Sequence, residues 1–264
     1  MTSQVKANLA IPKANGDAVE HALRIPGVVS GQARLQPEPG FPLVLESNCV
    51  EARESFSILR SRLANVHKKL GIRSVLITSA EAGDGKTLVA TNLALSLAQL
   101  NTWRVLLVDG DLRVGAATRI FDSKQLPGIA DYLQGKKSLE AVIYPTAYPA
   151  FSFAPAGFVP DNGLPAILEG PRWRAFLEEA KEKFELIIVD SSPTSVPVAD
   201  LELLAAPCDA YLLVVHLRQT HRDALKRVGS RIDMKKLLGI VLNNADRIYD
   251  YYYGDYGLRS QNHQ

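Results

Sequence analysis

The stretch that most constrains this chain is Ala80-Glu81-Ala82-Gly83-Asp84-Gly85-Lys86-Thr87. A β-branched apolar run, Ser74 to Thr78, precedes it, and an Ala- and Leu-rich helical pattern, Thr87 to Leu100, follows. A strand, a small-residue loop and a helix opening on Lys-Thr make an anion site. The first N–H groups of the helix have no intrahelical acceptor, and its dipole adds positive potential there. The string meets G-x-x-x-x-G-K-[ST] except at its first position, where Ala80 stands for glycine. Ala82, Gly83, Asp84, Gly85, Lys86, Thr87 and Leu88 are therefore the expected nucleotide-binding residues. Lys86 would reach the β- and γ-phosphates, and Thr87 would place its hydroxyl on Mg²⁺.

Further apolar runs of the same kind recur at Arg104–Asp109, Leu186–Asp190, Ala210–Val215 and Leu238–Asn243, with a shorter one at Phe151–Pro155. Helical patterns at 171–183, 198–205 and 220–232 lie between them. Strands apolar on both faces suit a parallel sheet covered by helices on each side. The expected fold is α/β: an open, doubly wound, mostly parallel sheet with helices on both faces and its site at the carboxyl ends of the strands, the P-loop NTPase architecture. Phe56, Leu59, Leu63, Val66 and Leu70 recur at helical spacing and predict a helix ahead of the first strand. Trp103 and Trp173 are expected at the periphery. The expected organisation is a flexible or loosely packed arm over 1–45, rich in proline, a catalytic domain over 46–246 and a tail over 247–264.

Two strand ends carry acids. Asp109-Gly110-Asp111-Leu112-Arg113 closes one run and Asp190-Ser191-Ser192-Pro193 another. Carboxylates beside a phosphate loop have a task, holding Mg²⁺ directly or through water and so offsetting the charge of a triphosphate. Helix capping explains Ser191 or Ser192 equally well. It does not explain two Asp-terminated strands in order after the loop. Asn243, closing the last strand, is either a contact to an adenine edge or a turn residue satisfying local backbone.

The tail is Tyr249-Asp250-Tyr251-Tyr252-Tyr253-Gly254-Asp255-Tyr256, so five of the nine tyrosines fall in the last sixteen residues. Glycine and aspartate interruptions suit a soluble acceptor segment better than a packed aromatic patch. Each phosphate would add about −1.5 to −2 charges and make tails repel one another. A net charge of +2 argues for neither nucleic acid nor membrane as a bulk electrostatic partner. Cys49 and Cys208 are far apart and outside any metal-ligand spacing, as expected of reduced thiols. The five histidines form no ligand pattern. Lys226, Arg227, Arg231, Lys235 and Lys236 cluster near the last helical pattern and read first as a solvated face. No run approaches the roughly 20 apolar residues of a membrane span, and the N-terminus has no apolar signal core.

With these motifs the chain resembles the bacterial tyrosine kinases, a phosphate-loop family related to the MinD/ParA ATPases. The resemblance covers about residues 50 to 257. Ala80–Thr87 is similar to the family's Walker A, Asp109–Arg113 to its extra Walker A′ (D-x-D-x-R), Leu186–Asp190 to its Walker B, and the tyrosines to its autophosphorylation cluster. Pro160-Asp161-Asn162 and Val241-Leu242-Asn243 also resemble family segments. The resemblance implies ATP and Mg²⁺ as cofactors, a protein-tyrosine autokinase acting in trans, and a role in exopolysaccharide or capsule production. It places Lys86, Asp109, Asp111 and Asp190 in catalysis, Thr87, Asp109 and Asp190 at Mg²⁺ with Asp190 acting through a water, and Tyr249, Tyr251, Tyr252, Tyr253 and Tyr256 as acceptors. Either Asp109 or Asp111 takes the phenolic proton, and Arg113 orients the acidic pair or meets a neighbouring subunit. It implies a homo-oligomer, a membrane-protein activator of the polysaccharide co-polymerase type, and a cytoplasmic chain recruited to the inner face of the membrane. Three features depart from the family. Ser191-Ser192-Pro193 replaces Thr-Pro-Pro. Ser57 replaces the middle arginine of the E-x-x-R-x-x-R element between subunits. No run of this sequence is expected to serve as the membrane-spanning segment that many relatives carry. The rival readings are a partition- or division-type ATPase switch and an ATP-binding scaffold. The switches usually carry a second lysine early in the loop, where this chain has Glu81-Ala82-Gly83.

Overall fold

The computed structural model describes residues 34–245, apart from 101, 160–163 and 198. The tyrosine tail and Pro160-Asp161-Asn162 lie outside the described residues. In chain order the elements are α1 (Val50–Leu70), β1 (Ser74–Ser79), α2 (Lys86–Ala98), β2 (Val105–Asp109), α3 (Ala116–Ile120), α4 (Ile129–Leu133), β3 (Tyr144–Pro145), β4 (Phe151–Ala154), α5 (Leu164–Glu169), α6 (Arg172–Lys181), β5 (Leu186–Asp190), α7 (Asp200–Ala205), β6 (Ala210–His216), α8 (Arg222–Val228) and β7 (Leu237–Asn243). The sheet runs β3-β4-β2-β5-β1-β6-β7. Every pairing is parallel except β3 with β4.

Alternation along each strand feeds two cores. Val75, Ile77, Leu107, Ile188 and Val214 face α2, whereas Leu76, Val108, Ile187, Val189 and Leu213 face α6 and α7. α2 is buried along its whole length from Val89 to Ala98. The sheet covers one side and α1 lies on the other, so a helix apolar on every face is what this position requires. β7 is an edge strand, which leaves Ile240 and Leu242 exposed.

Several expectations change. Residues 34–45, expected within a loose arm, are docked in the described part. Leu35 bridges to Thr146 beside β3, and Leu43 and Val44 are buried. Asn92 in the middle of α2 fastens them, accepting from Val44 N–H at 2.7 Å and donating to the Pro42 carbonyl at 3.1 Å. Trp173 is a core residue, 1% exposed, stacked on Phe176, with its Nε1–H donating to the Leu204 carbonyl at 2.9 Å. Sequence periodicity could not separate a buried indole from a peripheral one, because the partner carbonyl lies 31 residues away. Trp103 is half-buried against His67, and Leu70, assigned to the packed stripe of α1, is exposed.

Replacing Asn92 by alanine strands the buried Val44 N–H, at a cost of about 1–3 kcal/mol, and removes the donor to the partly exposed Pro42 carbonyl. Asn92→Ala should lower the melting temperature by roughly 3–8 °C in a thermal scan. An unchanged melting temperature would mean that 34–45 is not fastened through this side chain.

Candidate nucleotide and phosphoryl-transfer site

β1 ends at the phosphate loop, between β5 and β6. Gly83 (φ +90°) and Gly85 (φ +94°) take left-handed backbone that other residues enter only with strain. α2 begins at Lys86, and no side chain caps its first turn, so its leading amides stay directed at the loop. Ala80 fills the place of the missing glycine with its methyl fully buried. The departure after Asp190 is built into the loop's foundation. The Ser191 hydroxyl donates to the Ile77 carbonyl at 3.0 Å, Thr78 Oγ1 donates to the Ser192 carbonyl at 2.9 Å, and Thr194 N–H donates to the Ser79 carbonyl at 2.8 Å. Two serines therefore serve where the family has Thr-Pro.

Parallel register sets Asp109 directly beside Asp190, and Asp190 beside Ile77 of β1. Gly110 permits this, since its N–H donates to the Asp190 carbonyl at 2.8 Å and a Cβ there would lie 2.7 Å from that oxygen. Asp109, Asp111 and Asp190 are all buried. Lys86 Nζ lies 3.5 Å from Asp111 Oδ2, so the loop lysine already faces the acids. Both Asp190 carboxylate oxygens are buried without a hydrogen-bond partner among the described residues. Burial raises the Asp190 pKa, the Lys86 charge partly offsets this, Asp109 raises it further, the adjacent Thr87 hydroxyl lowers it and Asp111 raises it again. Burial likewise raises Asp109, opposed by hydrogen bonds from Thr118.

This donor set fits Mg²⁺. Among the described residues no three carboxylate, histidine or cysteine side chains close into a cation cage. Magnesium bound with a nucleotide needs only one or two protein carboxylates, because phosphates and waters fill its remaining positions. A buried Asp190 carboxylate beside the Thr87 hydroxyl suits that arrangement.

Thr118, which the sequence did not single out, belongs to the site. Its N–H and Oγ1 both donate to Asp109 Oδ2, at 2.7 and 2.6 Å. Its Oγ1 accepts from Ala156 N–H at 2.8 Å, which directs the hydroxyl proton to the carboxylate. No local sequence pattern marks a threonine nine residues beyond the acid. Arg113, expected to orient the acidic pair or meet a neighbouring subunit, forks onto Asp200 at the start of α7. It ties the Walker A′ turn to the helix after Walker B. Asn243 donates from Nδ2 to the Asp84 carbonyl at 2.9 Å, which ties the end of β7 to the loop. Asp84 turns its carboxylate away from the loop's interior, to Thr220. Leu88 is half-buried in the first turn of α2. The basic cluster is largely engaged: Arg231 with Glu202, Lys236 with the Ala206 and Cys208 carbonyls, and Lys226 with Asp223. Cys49 and Cys208 are both free thiols.

A family model described as an AAA domain matches residues 72–239. Tyrosine-protein kinase CpsD of Streptococcus agalactiae is 31% identical over 216 residues, covering 80% of this chain and 92% of that protein. The kinase domain of the Escherichia coli tyrosine kinase ETK matches with a TM-score of 0.71 at 28% identity, over 81% of this chain and 83% of that one. The septum site-determining protein MinD of Pyrococcus horikoshii, solved with Mg-ADP, shares the fold at a TM-score of 0.52 and 24% identity, over 66% and 71% of the two chains.

A buried acid whose folded pKa is raised holds its proton more tightly when folded. Its ionisation therefore removes stability as pH rises from the unfolded carboxylate range, about pH 4, toward neutrality. Asp190→Asn cannot ionise. In EDTA without nucleotide, its melting temperature should match the parent near pH 4 and exceed it by a few degrees, on the order of 2–5 °C, near pH 8. A gap that stays constant across this range would refute a buried, unpaired Asp190 carboxylate.

Proposed function

The chain belongs to the bacterial tyrosine kinase family, and from that membership we propose that it transfers the γ-phosphoryl group of ATP to the tyrosines of its own carboxyl-terminal cluster, in trans between copies. The observation that carries this reading is the alignment of Asp109 and Asp190 on adjacent strand ends, with Lys86 of the loop facing Asp111.

The loop amides and Lys86 bind the phosphates. Thr87 and Asp190 would hold Mg²⁺ bound with the nucleotide, and the ion would supply neutralisation of charge on the phosphoryl group. A phenol with a pKa near 10 arrives protonated, so the site must remove a proton as the phosphorus–oxygen bond forms. Asp109 is the group for this role. Its Oδ2 is saturated by Thr118, which leaves Oδ1 to accept the proton, and only the long 3.2 Å contact from Asp111 N–H competes there. Asp111 is drawn toward Lys86 and serves to orient it.

Glu81 supports a kinase over an ATPase switch. It stands where the switches usually present a lysine, and its carboxylate is held by His221, whose N–H donates to it at 2.9 Å. The acceptors lie in the proposed tail, 247–264, beyond the end of β7. Exopolysaccharide or capsule production, a membrane-protein activator and recruitment to the inner face of the membrane complete the reading. They rest on the family resemblance. No helix among the described residues is long and apolar enough to cross a membrane.

Lys86→Met and Asp109→Asn should each reduce phosphotyrosine formation by about 100-fold or more. Mixing the Lys86→Met protein with an active copy whose five tail tyrosines are phenylalanine should restore label on the former, located by mass spectrometry. Full labelling in either single variant would dismiss the assigned chemistry. An unlabelled mixture would dismiss transfer between copies.

A further inference from the structure

Asp84 poses an electrostatic puzzle. It sits in the middle of a loop that receives a polyanion, it is fully buried, and no cation pairs with it in the described structure. As a phosphate contact it would be repulsive. Its hydrogen bonds give it another task. Oδ2 accepts from Glu81 N–H at 2.8 Å and closes the loop's own turn. Oδ1 accepts from Thr220 Oγ1 at 2.7 Å. Its main-chain carbonyl accepts from Asn243 Nδ2 at 2.9 Å.

Both outside donors are oriented by contacts of their own. Thr220 Oγ1 accepts from His216 N–H at 2.9 Å, so its single proton is turned toward Asp84. Asn243 Oδ1 accepts from Asn244 N–H at 3.0 Å, which points the amide nitrogen at the loop. Asn244 adopts left-handed backbone (φ +54°) in making that contact. Asn243 also lies hard against Gly85, where a Cβ would come within 2.1 Å of Nδ2. Thr220 follows β6 and Asn243 ends β7, strands that continue the sheet from β1. Two struts from these strand ends thus meet the residue just before the Gly85-Lys86-Thr87 turn.

We infer that Thr220 and Asn243 are positioning residues that hold the phosphate loop in its nucleotide-binding shape by bracing Asp84, and that this brace sets affinity for the triphosphate rather than the rate of phosphoryl transfer. The inference rests on the reading of Ala80–Thr87 as the nucleotide site. A loop of small residues with two left-handed glycines has many alternative conformations. Holding it in one before the ligand arrives removes an entropic cost of binding. Neither strut is among the groups assigned to the transferring phosphoryl group, Lys86, Thr87, Asp109 and Asp190, so the chemical step is left alone.

The test is binding of a fluorescent ATP analogue to the full chain with Mg²⁺, alongside kcat and KM for ATP. Thr220→Val and Asn243→Ala should each raise Kd and KM about tenfold and leave kcat within about twofold. Thr220→Ser, which keeps the hydroxyl, should restore the parent values. Asp84→Ala separates bracing from simple charge. Removing an acid from an anion site would tighten binding if electrostatics ruled, whereas loss of the brace weakens it. Unchanged Kd in the strut variants, tighter binding by Asp84→Ala, or a fall in kcat at constant Kd would each overturn the inference. Should either strut variant fail to fold, as judged by circular dichroism, Asp84→Ala and Thr220→Ser decide alone. A parent protein that binds no ATP analogue would instead overturn the nucleotide-site reading itself.

Discussion

The carboxyl ends of β2, β5 and β1 bring together more negative charge than they neutralise. Asp109, Asp111 and Asp190 are buried side by side, and Lys86 is the cation that faces them, held to Asp111. Burying an unpaired carboxylate is expensive, and a second and third acid add repulsion. Such an arrangement persists only because the sheet enforces it through parallel register and the close approach at Gly110. A bare triphosphate would add further negative charge to the same space. The site is therefore built to receive a nucleotide that brings its own divalent cation, whose charge offsets the repulsion among the acids.

The rest of the molecule keeps those strand ends in place. α2 must run directly beneath the sheet so that its first turn meets the phosphate loop, which is why it is buried from Val89 onward and why polar residues inside it need partners. Asn92 solves this by taking the chain ahead of α1 as its partner. Arg113 and Asp200 perform a similar service on the opposite face, joining the Walker A′ turn to α7. Thr118 then fixes the orientation of Asp109 from a short helix that has no other role at the site. Each of these contacts joins residues distant in sequence to the ends of central strands.

This division explains what was legible in the sequence. The alternation of apolar runs and helical patterns specified the doubly wound sheet, because burial on both faces leaves an unmistakable composition at Leu186–Val189 and Val105–Val108. Lys86, Asp109 and Asp190 were legible because a phosphate loop and strand-end acids have few other uses. Thr118, Thr220 and Asp200 were not, since a threonine or aspartate in a turn reads as a cap and its distant partner is set by topology alone. Arg113 and Asn243 were singled out, but their partners Asp200 and the Asp84 carbonyl lie 87 and 159 residues away and left no local trace. Trp173 failed in reverse, a large aromatic taken for periphery whose N–H finds a carbonyl inside the core.

The same reasoning bears on how copies meet. In α1 the element Glu54–Ser57–Arg60 corresponds to the family's intersubunit pattern with its middle arginine lost. Ser57 turns its hydroxyl back to the Arg53 carbonyl at 2.9 Å, a contact within its own helix. Arg60 donates to the Ser96 carbonyl at 3.1 Å, near the negative end of the α2 dipole, a favourable place for a guanidinium. Both positions are thus satisfied inside one chain, and a neighbour using this face would have to compete with those contacts. Ser57 and Arg60 therefore keep part of their hydrogen-bonding capacity within one chain. Transfer between copies then depends on how many are gathered at one place, and a partner that clusters them would raise the effective concentration of acceptor tails without altering the site.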